Sequence, residues 1–337
     1  MRFLIMFFPL FLFAGKVLVV PDYEGYVTTM FPQNVTRSNY GNYGVWGKLK
    51  VHFQERGEVI SGASLRKYLE HPETIASQLE EEGVDRIVLI NIPNYIGYEQ
   101  LKWFPKEKMV LMMYEPPTVI RRLYDPKLYQ FFGKVLTWQD DLIDGKGVVK
   151  MHYPVHVSMK KSLVPFNKRH LICSISRNKT STYPDEIYSE RVRAIEFFEG
   201  HSNFHLYGYG WESAGYSNYR GSIADKYATL RNYRFSICYE NTRDIQGYIT
   251  EKIFDCFHVG CIPIYLGASN ITDYIPKECF IDKRDFSTYD ALLEYIENMP
   301  ESQFNKYIAA INNYLRSPKS SRFTEEEFIS NFIANVN

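Results

Sequence analysis

Apolar and polar positions along the 337 residues fall into two kinds of run. Short, nearly continuous apolar runs read as strands: KVLVV (16–20), RIVLINI (86–92), KMVLMMYEPP (108–117), VLTW, HLICSIS (170–176), NFHLYG (203–208), RFSICYE (234–240) and CIPIYLG (261–267). Strands that stay apolar at successive positions are buried on both faces, as in a parallel sheet covered by helices. Segments of helical period lie between them. They cover 43–57, 74–83 ended by Gly83, the short PKLYQFFGK, 188–200 ended by Gly200, and 223–233. TEKIFDCFHVG (250–260) has an N-cap in Thr250, a stop at Gly260 and a core face of Ile253, Cys256, Phe257 and Val259. FTEEEFISNFIANVN predicts a terminal helix, and Pro116 and Pro117 stop the strand before them.

The alternation stops once. Residues 150–168 contain two prolines and no period, which reads as a linker, and the pattern restarts beyond it. The expected organisation is a hydrophobic segment (1–15), an α/β domain (16–155), a second α/β domain (165–300) and C-terminal helices (301–337). The length suffices for two cores, and the repeat of α/β units predicts two Rossmann-like domains facing across a cleft.

Composition changes this picture little. Lys+Arg and Asp+Glu are both 39, so no nucleic-acid partner is indicated and any anion-binding charge must be local. The chain has 27 Tyr, 23 Phe and 4 Trp, a composition that fits either an aromatic core or recognition of sugars and bases. Cys173, Cys238, Cys256, Cys261 and Cys279 are odd in number and sit in apolar runs, so they read as buried free thiols. The start, MRFLIMFFPLFLFAG, is too short to span a bilayer. It fits a signal core or a short anchor, or a hydrophobic start of other use. As an anchor it would give peripheral membrane association, on the cytoplasmic face or in a secretory compartment such as the Golgi. The sequons at Asn34, Asn178 and Asn270 decide nothing, because such triplets arise often by chance.

The densest chemistry lies in YENTRDIQGYITEKIF, between a predicted buried strand and a predicted buried helix. In a strand–loop–helix unit, ligands bind beyond the carboxyl end of the strand, here the loop 240–249. The helix N-terminus directs free N–H groups and partial positive charge to the same place. Lys252 in the first turn is disfavoured by that dipole unless it meets an anion such as a diphosphate. Glu251 can accept from a ribose diol, Asn241 offers an amide and Tyr248 an aromatic face. The competing reading is a helix start with surface charges and no ligand.

Residues 234–276 resemble the donor-binding signature of the α-1,3/1,4-fucosyltransferases, glycosyltransferase family 10. The shared pattern is an aromatic strand, Glu240-Asn241, a short loop, Tyr248 through Lys252, a helix, and a Pro-containing strand ending in Gly267. The resemblance extends over about 108–290, and residues 1–100 carry none. It implies a GT-B-like α/β fold, an N-terminal acceptor domain and a C-terminal GDP-fucose domain. It also implies inverting transfer to a glycan hydroxyl, GlcNAc-type, with no metal required in the site. Arg177 in SISRNK occupies the place of a basic residue that holds the diphosphate, and a guanidinium beyond a strand end suits that task. Lys179 is a lesser helper. The loop 242–247 is one residue longer than in the best-known members, so its nucleotide-side contacts do not carry over. A different nucleotide sugar, or binding without turnover, therefore stays open.

Inverting transfer needs one base. The resemblance implies a Glu after an N-terminal apolar strand, and VLMMYEPP offers Glu115, whose pKa burial would raise. The family often has Glu-Ser-Pro where this chain has Glu-Pro-Pro. Asp140 and Asp141 are runners-up, though adjacent Asp pairs more often cap or are solvated. Gly208 and Gly210 in YGYGW could let backbone approach a ligand. His152 and His156 lack a third metal ligand, and Asp22 and Tyr23 have only a strand-end position in their favour.

Overall fold

The computed structural model describes residues 15–36 and 44–336, so the hydrophobic segment at 1–14 lies outside the described residues. Two compact units make up the chain. One comprises Met1–Met112, Leu128–Lys134 and Asn335–Asn337, the other Met113–Lys127 and Val135–Ala334.

In the first unit, β1 (Lys16–Pro21) lies between β2 (Val59–Gly62) and β3 (Val84–Ile90), all parallel, and β4 (Met109–Met113) extends the sheet beside β3. The helices Gly44–Glu55 and Ile75–Glu81 match the periodic segments. Gly83, at φ +66°, takes the left-handed turn that ends the second. At the carboxyl ends of β1 and β3, Asn91 Nδ2 donates to Asp22 Oδ2 at 3.0 Å. β4 ends at Met113, before the prolines expected to stop it. Its next carbonyl, that of Tyr114, accepts from Trp138 Nε1 at 3.1 Å and from the Tyr153 hydroxyl, and these side chains occupy it in place of a strand ladder.

β5 (Lys134–Thr137) and β6 (Val148–Lys150) pair in parallel and complete a six-stranded sheet of order β2-β1-β3-β4-β5-β6; β6 is too short to announce itself as a run. The stretch after β6 has no regular element until Phe166–Lys168, in line with its prolines. It is nonetheless fastened: Val155 N–H donates to the Phe323 carbonyl at 2.8 Å and Lys160 N–H to that of His258 at 2.8 Å.

The second, five-stranded sheet contains β7 (His170–Ile175), β8 (Phe204–Tyr207), β9 (Tyr233–Tyr239), β10 (Ile262–Leu266) and β11 (Ile281–Asp282), in the order β11-β10-β9-β7-β8. All its pairings are parallel. The reason for its unbroken apolar runs is visible in β9. Phe235, Ile237 and Tyr239 enter a core with Phe198, Phe204, Leu292 and Ile296, while Cys238 enters another with Ile253, Phe257 and Tyr314. Both faces are dry, so both parities must be apolar. All five cysteines are buried and unbridged.

The segment 223–233 forms helix only over Lys226–Leu230, because the Asp225 side chain accepts from Ala228 N–H and caps the helix there. PKLYQFFGK forms a 3-10 helix over Pro126–Phe131. Among the described residues no helix is long and apolar enough to cross a membrane.

Candidate active site

The chain leaves β7 toward β8 and returns on the other side of β7 as β9. That reversal makes the β7/β9 carboxyl ends a topological switch point, where open α/β sheets bind ligands. A cavity of about 420 Å³ lies there, lined from β7 by Ser176 and Arg177 and from β9 by Asn241. Glu251 and Lys252 line it from the next helix, so four of the five expected donor-binding residues meet in one space, Tyr248 being the exception. The volume fits a small-molecule site.

Arg177 is placed by close backbone packing. Ser176 N–H donates to the Tyr207 carbonyl at 3.0 Å, Asn178 N–H to that of Tyr209 at 2.9 Å, and Trp211 Nε1 to that of Ser176 at 2.7 Å. Gly208 sits at φ +125°, and a Cβ there would lie 1.9 Å from the Ser176 carbonyl oxygen. Glycine is therefore required for the two strand ends to touch. The Arg177 guanidinium lies over the exposed Tyr209 ring, 5.2 Å from its centroid. Arg177 and Lys179 enter no ion pair among the described residues, which leaves their charge available to a ligand.

Lys252 is held differently. Thr250 caps the helix Glu251–Val259, and Gly260 at φ +66° ends it, as the sequence predicts. Glu240, fully buried, accepts from Thr250 N–H at 2.9 Å and from its hydroxyl at 2.8 Å through Oε2. Lys252 Nζ then lies 2.9 Å from Glu240 Oε2 and 3.9 Å from Glu251. Burial opposes the ammonium charge, but Glu240 and Glu251 outweigh it and hold the pKa of Lys252 above the usual lysine range. An anion that justifies a lysine in this first turn is thus the buried Glu240. Glu251 has a half-exposed side chain. Burial would raise its pKa, but Lys252 and Lys226 outweigh that and keep it low, so it stays ionised.

Tyr248 does not line this cavity. It is buried, 4.5 Å from the Trp138 ring and 6.2 Å from that of Tyr153, and serves as a packing anchor for the loop before the helix. The loop itself is pinned. Thr242 Oγ1 donates to the Asp185 carbonyl at 2.9 Å, and Gly247 N–H donates to Asn270 Oδ1 at 2.9 Å.

Glu115 is half-buried and stands outside the lining. Its carbonyl accepts from the Tyr124 hydroxyl at 2.9 Å. Its charge acts on Tyr188, which does line the cavity, and on buried Tyr153 and Tyr248. Asp140 is a structural group: it pairs with Lys150 and accepts from Tyr274 at 2.6 Å and Asn270 at 2.8 Å. Burial would raise its pKa, but these partners outweigh that and lower it, which makes it a poor base. Asp141 is exposed in the adjacent 3-10 turn. The Asn270 side chain links the two loops: its Oδ1 accepts from Gly247 N–H at 2.9 Å and its Nδ2 donates to Asp140 at 2.8 Å. His152 packs on Phe323 at 4.8 Å and His156 on His258 at 4.4 Å, so the two histidines serve separate contacts.

Three lining residues escape a sequence reading. Arg191, buried in the helix Tyr188–Phe198, donates through Nη2 to the carbonyls of Tyr239 at 3.0 Å and Glu240 at 2.9 Å, tying that helix to the end of β9. Lys226 pairs with Asp255 at 2.6 Å and faces Glu251. Tyr188 lies beneath the Arg191 guanidinium, 5.2 Å away. The only signal was a buried arginine position on an otherwise apolar helix face.

The family described as Glycosyltransferase family 10 (fucosyltransferase) C-term matches residues 166–330. An alpha-(1,3)-fucosyltransferase of Helicobacter pylori is 38% identical over 77 residues, 23% of this chain and 16% of that one. An alpha-(1,4)-fucosyltransferase of Arabidopsis thaliana is 34% identical over 73 residues, 22% and 18%. The chain thus spans under a fifth of the length of these two relatives. A solved alpha1,3-fucosyltransferase with GDP-fucose covers 96% of this chain and 91% of its own, with a TM-score of 0.53 and 14% identity. That likeness shows the fold, a GT-B-type chain with two parallel-sheet α/β units.

Proposed function

Because residues 166–330 belong to glycosyltransferase family 10, we propose that this chain moves L-fucose from GDP-fucose to a hydroxyl of a glycan acceptor, with inversion at the sugar. The observation that carries the reading is the cavity at the β7/β9 switch point, where Arg177, Asn241, Glu251 and Lys252 meet. Glu251 binds the ribose diol, and Arg177 and Lys252 face the diphosphate. Asn241 shapes the pocket from the end of β9, while Tyr248 acts through its packing on Trp138.

In the transfer, Glu115 takes the proton of the acceptor hydroxyl as its oxygen attacks the anomeric carbon. The bond from that carbon to the phosphate oxygen breaks, and GDP leaves with the electron pair. Fixed cations stabilise this developing charge without reorganisation. With lysine and arginine in that role the reading needs no metal, which activity in the presence of a chelator tests.

The direct experiment is a screen of nucleotide sugars against a glycan acceptor panel, with product mass and linkage read out. Fucosylated product from GDP-fucose, on a GlcNAc-type acceptor, is expected. Transfer from another nucleotide sugar and none from GDP-fucose would reject the donor assignment, and tight GDP binding with no transfer to any acceptor would make the chain a binding protein.

A further inference from the structure

Two side chains of the cavity wall, Tyr188 and Ser176, carry hydroxyls that nothing else among the described residues satisfies. Tyr188 is 3% exposed and opens the helix Tyr188–Phe198, and its ring is held under the Arg191 guanidinium at 5.2 Å. Its oxygen is buried and has no hydrogen-bond partner among the described residues. A buried hydroxyl left unpaired costs free energy, so such a group in a folded protein calls for an explanation. The cavity supplies one: Tyr188 lines it together with Arg191 and Lys252. Ser176, at the end of β7, lines the same cavity and also carries a buried hydroxyl without a partner among the described residues. Tyr188 thus shares the cavity wall with two cationic side chains, Arg191 and Lys252.

We propose that the Tyr188 hydroxyl is a ligand-binding donor that hydrogen-bonds an oxygen of the sugar-linked diphosphate, and that it is left unpaired in the free protein for that purpose. Two cations beside it favour an anionic oxygen as its partner over a carbonyl or an amine. The proposal rests on the donor-site reading of this cavity and adds a residue that the signature motif does not contain. A phosphate oxygen on the leaving group grows more negative as the glycosidic bond breaks, so the hydrogen bond strengthens toward the transition state.

The test is Tyr188→Phe, which keeps the ring, the helix and the cation–π contact and removes only the oxygen. Calorimetry would use GDP, inorganic pyrophosphate and guanosine on the full chain, beside thermal melts without ligand. Tyr188→Phe is expected to weaken GDP and pyrophosphate binding about tenfold, leave guanosine binding unchanged, and melt at or above the wild-type temperature without ligand. Unchanged GDP and pyrophosphate affinity, or an equal loss for guanosine, would overturn it. A melt well below wild type would also overturn it, since the hydroxyl would then have a structural partner. Pyrophosphate binding that Tyr188→Phe weakens, in a protein that does not distinguish GDP from other diphosphates, would instead remove the GDP-fucose reading and leave this one standing. Ser176→Ala is the companion variant: its loss of pyrophosphate affinity would extend the proposal to both hydroxyls, and its normal affinity would confine it to Tyr188.

Discussion

Lys252 Nζ and Glu240 Oε2 lie 2.9 Å apart at the start of the Glu251–Val259 helix, and the glutamate side chain has no solvent exposure. The lysine that faces the cavity is therefore also the counter-ion of a buried carboxylate. Any substitution of Lys252 acts on stability and on ligand affinity at once.

Lys252→Ala should destabilise the protein by about 3 kcal/mol or more, the cost of leaving a buried charge without its partner. Adding Glu240→Gln should recover much of that loss, because the amide oxygen can still accept from Thr250 N–H. GDP affinity should stay weak in the double variant. Denaturant unfolding and calorimetry on the three proteins separate the two effects. Equal stability of wild type and Lys252→Ala would show that water, rather than the lysine, compensates Glu240.

Glu115→Gln should reduce transfer about a hundredfold or more while GDP affinity changes little, since the carboxylate stands outside the cavity lining and acts on the acceptor proton. Initial rates with GDP-fucose and GDP titrations decide this. Full activity in the variant would remove Glu115 from the mechanism and reopen the search for the base.

Gly208→Ala adds a methyl group where the Ser176 carbonyl already sits at 1.9 Å, at a φ that side chains disfavour. The expected result is loss of stability together with weaker diphosphate binding, as the Ser176–Arg177 turn is pushed aside. Gly215, at φ +76° with open space around it, is the control. Gly215→Ala should show only a modest stability change and normal binding. Equal effects of the two would argue that backbone strain, rather than displacement of Arg177, is responsible.

His152 carries a pH prediction. Burial first, then the charges of Lys150 and Arg322, lower its pKa from 6.5 to about 3. Between those values the unfolded chain binds a proton that the folded protein refuses, so stability falls as pH drops through that window. His152→Phe, which can keep the packing on Phe323 and Tyr274, should lose less stability than wild type between about pH 7 and pH 4.5. Parallel slopes of unfolding free energy against pH would show that His152 titrates normally.

Much of this architecture was legible in the order of residues. The strands β7, β9 and β10 are written as unbroken apolar runs because both of their faces are buried. Thr250 and Gly260 bound their helix because capping is a local matter of one side chain and one backbone angle. β6 was not legible, since three residues of intermediate burial carry no periodic signal. The early end of β4 was not legible either, because the groups that take the Tyr114 carbonyl, Trp138 and Tyr153, lie far along the chain.

The sequence alone determined the kind of fold, the helix that carries Glu251 and Lys252, and the gathering of charged side chains at one strand end. These follow from short-range rules of period, capping and motif order. Only the tertiary structure decided which side chains share the cavity. It brought Arg177 beside Lys252, set Tyr248 apart on Trp138, gave Lys252 its buried partner Glu240, and placed Arg191 and Tyr188 in the wall. Those outcomes depend on strands β7 and β9, distant in sequence, lying side by side with their carboxyl ends level, and on the free-energy cost of burying a charge that something nearby must then balance.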